Sequence, residues 1–265
     1  MEIKSNANRD AARRRGRLCA WYATSLGQSL ADAETQHLAA VLPRLYGAFA
    51  VQIGATGAHD PTQSCNAPRR ALLDVSARHV ADGVLPVAGL PEMLPFDARS
   101  VDILVMPHTL EFADDPHQVL REARRVLAPE GHLVILGFNP FSLWGMTRIL
   151  RRHRRSPWHG QFYQLLRVKD WLKLLEFEVR EGAMLYYRPP VRRERMRERL
   201  RFMERMGNRW WPMAGAVYCL VARKRVAGIT PIRPAWKTRA IVGGVAMRPV
   251  ARAAHLRLVK PRVRE

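Results

Sequence analysis

The stretch that most constrains the fold is LPFDARSVDILVMPHTLEFADDPHQVLREARRVLAPEGHLVILGF, residues 94–138. Its two ends, VDILVM (101–106) and HLVILGF (132–138), are continuous apolar runs rather than alternating ones. Strands buried on both faces read this way, which points to a parallel sheet covered by helices. Between them lies DPHQVLREARRVL, where Asp115 suits an N-cap and Pro116 the first helical position. Val119, Leu120, Ala123, Val126 and Leu127 recur at helical spacing, and Arg121, Arg124 and Arg125 fall off that stripe. Gly131 marks the turn back into the next strand. The unit is strand, crossover helix, parallel strand, and it predicts a doubly wound α/β fold.

The flanking sequence continues the pattern. AFAVQIG (48–54) reads as a strand running into Gly54, Ala55, Thr56 and Gly57, and RRALLDVS (69–76) as a second that ends near Asp74. Beyond Phe138, VKDWLKLLE (168–176) predicts a short amphipathic helix. FEVREGAMLYY (177–187) and AGAVYCLVARK (214–224) predict two further strands, suited to an antiparallel hairpin at one side of the sheet.

With 265 residues, 48% of them hydrophobic, the chain can bury a full core. Cys19, Cys65 and Cys219 form no C-x-x-C pair, which argues against a disulfide framework or a structural zinc and fits a reducing compartment. No apolar run approaches the roughly 20 residues that span a bilayer. The segment behind Arg13-Arg14-Arg15 is too polar for a signal-peptide core, so the expected location is cytoplasmic. The net charge of +21 is unevenly spread. Residues 44–146 hold 8 Lys and Arg against 11 Asp and Glu, whereas residues 147–265 hold 30 against 8. Such asymmetry suggests a division of labour along the chain.

The motifs in residues 48–138 resemble the class I S-adenosylmethionine-dependent methyltransferases of the type 11 group. The likeness rests on the Leu-Pro-Phe turn at 94–96, the Ser-x-Asp strand start at 100–102, Asp115-Pro116, the Arg-Val-Leu of 125–127 and the Pro-x-Gly of 129–131. WYATSLGQSLADAE and NPFSLWGM are similar to a proteobacterial subgroup of that family. The resemblance implies a seven-stranded, mostly parallel sheet with an antiparallel last strand, and S-adenosyl-L-methionine as cofactor. Ligands of such sheets sit at the carboxyl ends of the strands.

Carried onto this chain, the resemblance implies a cofactor site built from Gln52, Gly54, Ala55, Thr56, Gly57, Asp74, Val75, Leu90, Pro91, Met106, Pro107 and His108. Gly54 matches the first glycine of the family's loop, and Thr56 stands where the second is expected. Gln52 replaces the usual acid that would hold the cofactor's amino group. Asp74 matches the acid that binds the ribose hydroxyls. Leu90 replaces an acid that often faces the adenine, and Pro91 has no N–H to offer the ring. His108 and Glu111 are the candidate catalytic residues, although methyl transfer needs mainly alignment, with a base only where the acceptor must lose a proton. Asp114 and Asp115 read as capping residues.

The expected organisation is a helical segment over 1–43, a methyltransferase domain over 44–224 with a basic helical insertion around 190–211, and a basic, disordered tail over 225–265. In VRRERMRERLRFMERMGNRWW (191–211), Met196, Leu200 and Met203 recur at i, i+4 and i+7, which predicts an amphipathic helix with its apolar face on the sheet. The tail could track a phosphate backbone, meet an anionic membrane surface or reflect a strongly basic proteome composition, and the arginines of 151–155 and 192–209 are the other candidates for holding nucleic acid. Two alternatives accompany transfer to an unidentified acceptor. One is a nucleic-acid methyltransferase that uses the basic half. The other is a non-catalytic binding protein whose loop departures have cost it the cofactor.

Overall fold

A computed structural model describes residues 13–57, 59–75, 81–151, 160–191 and 193–225. The expected disordered tail and most of the 151–156 basic run lie outside the described residues. The strands are β1 (Phe49–Ile53), β2 (Arg69–Asp74), β3 (Val84–Ala88), β4 (Val101–Pro107), β5 (Leu127–Phe138), β6 (Phe177–Leu185) and β7 (Val217–Lys224). They form one seven-stranded sheet in the order β3-β2-β1-β4-β5-β7-β6. Pairing is parallel from β3 to β5, and β7 runs antiparallel to both β5 and β6. This is the expected doubly wound architecture with its antiparallel last strand.

The unbroken apolar runs have a direct cause. In β4, Leu104 and Met106 enter one core while Ile103 and Val105 enter the other. β5 divides Leu133 and Ile135 from Val134 and Leu136 in the same way. Each of these side chains contributes roughly 1.5–3 kcal/mol by leaving water. The first core is closed by α3 (Pro116–Val126) and α5 (Leu165–Leu174). The second is closed by α2 (Ser25–Val41) and α4 (Leu143–Arg151), through Leu30, Leu38 and Trp144. The helices ahead of β1, namely α1 (residues 13–22) and α2, are therefore part of the sheet's own packing.

Asp115 caps α3 by accepting from the Gln118 N–H, and Pro116 opens the helix as expected. Two boundaries differ. Leu127 does not extend the helical stripe; its backbone is already extended and starts β5. The Pro-Glu-Gly turn lies inside β5 as an irregularity, with Glu130 at φ 64° and a register shift opposite Val101–Ile103. β3 left no signal in the sequence. It is short, largely exposed and contains Pro86, all of which an edge strand tolerates.

The basic insertion departs further from expectation. It breaks at Leu200–Arg201 into α6 (Glu194–Arg199) and α7 (Phe202–Trp210). Of its apolar stripe, Leu200 and Met203 are half-buried but Met196 is 43% exposed, whereas Arg197 is buried. Arg197 donates to Ser25 Oγ and the Val191 carbonyl, so the buried side of this helix is the charged one.

Candidate functional site

The carboxyl ends of β1, β2 and β4 meet in a small cleft lined by Ile53, Gly54, Leu73, Asp74, Val75, Gly89, Pro91, Glu92, Thr109, Phe112, Ala113 and Arg15. Gly54 takes φ +89°, a conformation that favours glycine, and its N–H donates to the Leu73 carbonyl at 2.7 Å. Gly57 is also left-handed, at φ +74°. Thr56, where a second glycine was expected, is buried and donates to the His59 carbonyl at 2.9 Å, closing the loop on itself. Asp74 ends β2, and its Oδ1 accepts from the Val75 N–H at 2.8 Å.

Other expected residues are turned elsewhere. Gln52 is buried and donates to the Gly54 carbonyl at 2.9 Å, so its amide braces the loop from below. Met106 points into the core, and Leu90 forms a small bridge with Met93; neither lines the cleft. Pro91 does, followed by Glu92, whose Oε1 accepts from the Asp114 N–H. Asp114 is not a cap: its side chain pairs with Arg14.

Sequence reading missed the part played by α1. Arg15 is buried and lies on Gly54 so closely that a Cβ there would collide with the guanidinium. Its Nη2 donates to the Pro107 carbonyl at 3.0 Å and its Nη1 to the His108 carbonyl at 3.2 Å. Among the described residues its Nε has no partner. Cys19 Sγ, one turn on, donates to the Ala55 carbonyl. The only hint was Arg13-Arg14-Arg15 itself, which reads equally well as a solvated basic run.

Behind this strap lies a buried relay. Tyr22 donates to Glu34 Oε2 at 2.9 Å, Glu34 Oε1 meets His108 Nε2 at 2.8 Å, and His108 Nδ1 faces Glu111 Oε1 at 3.3 Å. Glu111 Oε1 also accepts from the Phe138 N–H. The His108 ring stacks on Phe138 at 4.0 Å. Burial alone pulls the imidazole's pKa down. The Glu34 charge and the hydrogen bonds to Glu111 and Glu34 outweigh it and raise the pKa to about 9. His108 is therefore an imidazolium at neutral pH, with both nitrogens engaged. It has no lone pair with which to take a proton.

The cleft's free volume is about 30 Å³, room for about one water. A groove of about 950 Å³ runs along the β6 edge past His37, Met184 and Tyr187, but neither the Gly54–Gly57 loop nor Asp74 reaches it.

Residues 65–135 match the family described as "Methyltransferase domain". The uncharacterised protein YafS of Escherichia coli (strain K12) is 34% identical over 188 residues, covering 71% of this chain and 72% of that protein. The chain belongs to the methyltransferase-domain family. A possible histamine N-methyltransferase of Thermotoga maritima shares the fold with a TM-score of 0.57 at 20% identity, over 78% of this chain and 94% of that one. Geranyl diphosphate C-methyltransferase of Streptomyces coelicolor A3(2), solved with S-adenosyl-L-homocysteine, gives 0.52 at 16% identity, over 75% and 80%. The chain carries the domain of these methyltransferases and shares their fold. The cleft at Gly54 occupies the switch-point position that such sheets give their ligands. Its left-handed glycine and orphaned guanidinium nitrogen suit an anionic ligand end.

Proposed function

We propose that this methyltransferase holds S-adenosylmethionine across the Gly54–Asp74 cleft and transfers its methyl group to an unidentified acceptor in the cytoplasm. The observation that carries the reading is the convergence of Arg15 and Asp74 on either side of Gly54. Asp74 presents a carboxylate that can accept from ribose hydroxyls. Arg15 presents a buried guanidinium, with one N–H unspent, that can pair with the cofactor's carboxylate. A ligand lying on Gly54 requires the guanidinium to shift from its present place, and α1, bound by Arg14, Arg15 and Cys19, would move with it. The bound cofactor supplies an electrophilic methyl on a sulfonium. The chain's part is to orient it and keep water away. The relay from Tyr22 to Glu111 supports the β4 end as a rigid, charged scaffold. His108 and Glu111 are assigned positioning rather than proton transfer.

A second reading, a binding protein that no longer uses the cofactor, has its own support. Gln52 is committed to its loop, and the cleft is nearly filled. Titration calorimetry of the full chain with S-adenosylmethionine and S-adenosylhomocysteine separates the two. Binding of both is expected, and no heat with either favours the second reading.

A further inference from the structure

Helix α4 is inside out. Trp144 is its buried anchor, packed on Phe138 and Tyr186 and donating Nε1–H to the Arg188 carbonyl at 2.9 Å. The opposite, solvent-facing side carries Leu143, Met146 and Ile149 at successive i+3 positions, and Phe141 precedes them. Met146 is 54% exposed, Ile149 73% and Phe141 68%. Helix α7 repeats the arrangement, with Phe202, Met206 and Trp210 exposed at i, i+4 and i+8. Trp211 and Met213 continue it. A surface helix normally turns its polar side to water, so two neighbouring helices with apolar solvent faces mark a docking surface.

The two helices share one end of the molecule. β6 is antiparallel to β7, and β7 to β5, so α4 and α6–α7 both follow carboxyl ends of parallel strands, on the side of the Gly54 cleft. Asn139, just before Phe141, donates to the Met213 and Gly215 carbonyls, which ties the two sets together.

Charge identifies the occupant. Residues 141–157 contain five arginines and no acid, and residues 191–213 contain eight arginines against three glutamates. Arg193, Arg195, Arg199, Arg201 and Arg209 are exposed. Aliphatic and thioether side chains in so basic a stretch of sequence fit acyl chains beneath anionic headgroups. A tryptophan pair suits the headgroup boundary. Nucleic acid would match the arginines but not Leu143, Met146 and Ile149, because single-stranded sites stack bases on aromatic rings.

We propose that the apolar face of α4, with the Trp210–Trp211 end of α7, docks this chain on an anionic phospholipid surface. The docking places the mouth of the cleft beside the bilayer, and it stands whether or not the cleft binds S-adenosylmethionine.

The test is co-sedimentation of the full chain with phosphatidylglycerol–phosphatidylcholine vesicles and with phosphatidylcholine vesicles alone. The parent should bind the anionic vesicles, with a blue shift of tryptophan emission, and bind the neutral ones at least ten-fold more weakly. Met146→Gln/Ile149→Gln keeps the charge and alters only exposed side chains. It should lower the anionic-vesicle partition coefficient ten-fold or more while leaving the melting temperature unchanged. Equal partitioning of parent and variant would overturn the proposal, leaving only electrostatic adhesion by other basic segments. So would a parent dimer in light scattering that the same substitutions dissolve, or a generic oligonucleotide whose affinity they lower equally.

Discussion

Nε2 of His108 lies 2.8 Å from Oε1 of Glu34, and both side chains are buried. The pair joins the β4 end to α2 and keeps His108 protonated, with a pKa raised from 6.5 to about 9. A group whose folded pKa is raised stabilises fully below its unfolded value and loses that contribution as pH climbs through the folded one. The expected outcome is a stability plateau below about pH 6.5 and a fall of up to about 3 kcal/mol by pH 10. His108→Gln should be less stable at pH 7 and should flatten that pH slope. Chemical denaturation at several pH values checks both, and an unchanged slope would show that His108 is neutral.

Arg15→Ala tests the strap. If the guanidinium pairs with the cofactor carboxylate, the dissociation constant for S-adenosylhomocysteine should rise roughly ten- to a hundred-fold, the worth of a charge-assisted bond of about 1.5–3 kcal/mol. If Arg15 merely fills the cleft, the variant should bind more tightly than the parent. Calorimetry distinguishes the signs.

Asp74→Ala should weaken S-adenosylhomocysteine about ten-fold or more through lost ribose contacts. Its ligand-free melting temperature should hardly move, since among the described residues the Asp74 side chain makes one local bond, to the Val75 N–H. An unchanged dissociation constant removes Asp74 from the site.

Gln52→Glu probes the loop. The amide donates to the Gly54 carbonyl, and a carboxylate cannot. The variant should lose about 1–3 kcal/mol of stability, because it leaves that carbonyl without its donor and buries an unpaired charge. Urea melts would show it. A variant as stable as the parent, with tighter ligand binding, would mean that residue 52 swings to the ligand after all.

A chain ending at Ala227 keeps the compact unit and lacks Gly228–Glu265. It loses nine Lys and Arg and one Glu, so its net charge falls from +21 to +13. Cooperative unfolding and cofactor binding should persist. Affinity for a generic oligonucleotide should fall, with a shallower dependence on salt as fewer counterions are released. Superimposable salt titrations would clear the tail of that role.

The sequence by itself determined the sheet apart from its edge strand β3. Runs such as Ile103–Met106 and Leu133–Leu136 are apolar at every position because both faces of a parallel strand are buried. Asp115-Pro116 set the start of α3, and Gly54 and Asp74 stood at strand ends where ligands of such sheets are held. Tertiary structure decided what local pattern cannot encode. Arg15 belongs to the cleft only because α1 folds across strands more than thirty residues away, and nothing in Arg13-Arg14-Arg15 distinguishes a buried arginine from a solvated one. Whether a side chain in an amphipathic helix faces the core or water is likewise invisible to periodicity, which gives the stripe and not its direction. Arg197 turned inward, and Met146 and Ile149 outward, because Trp144 and the chain's return to β7 had already fixed which side of each helix meets the sheet.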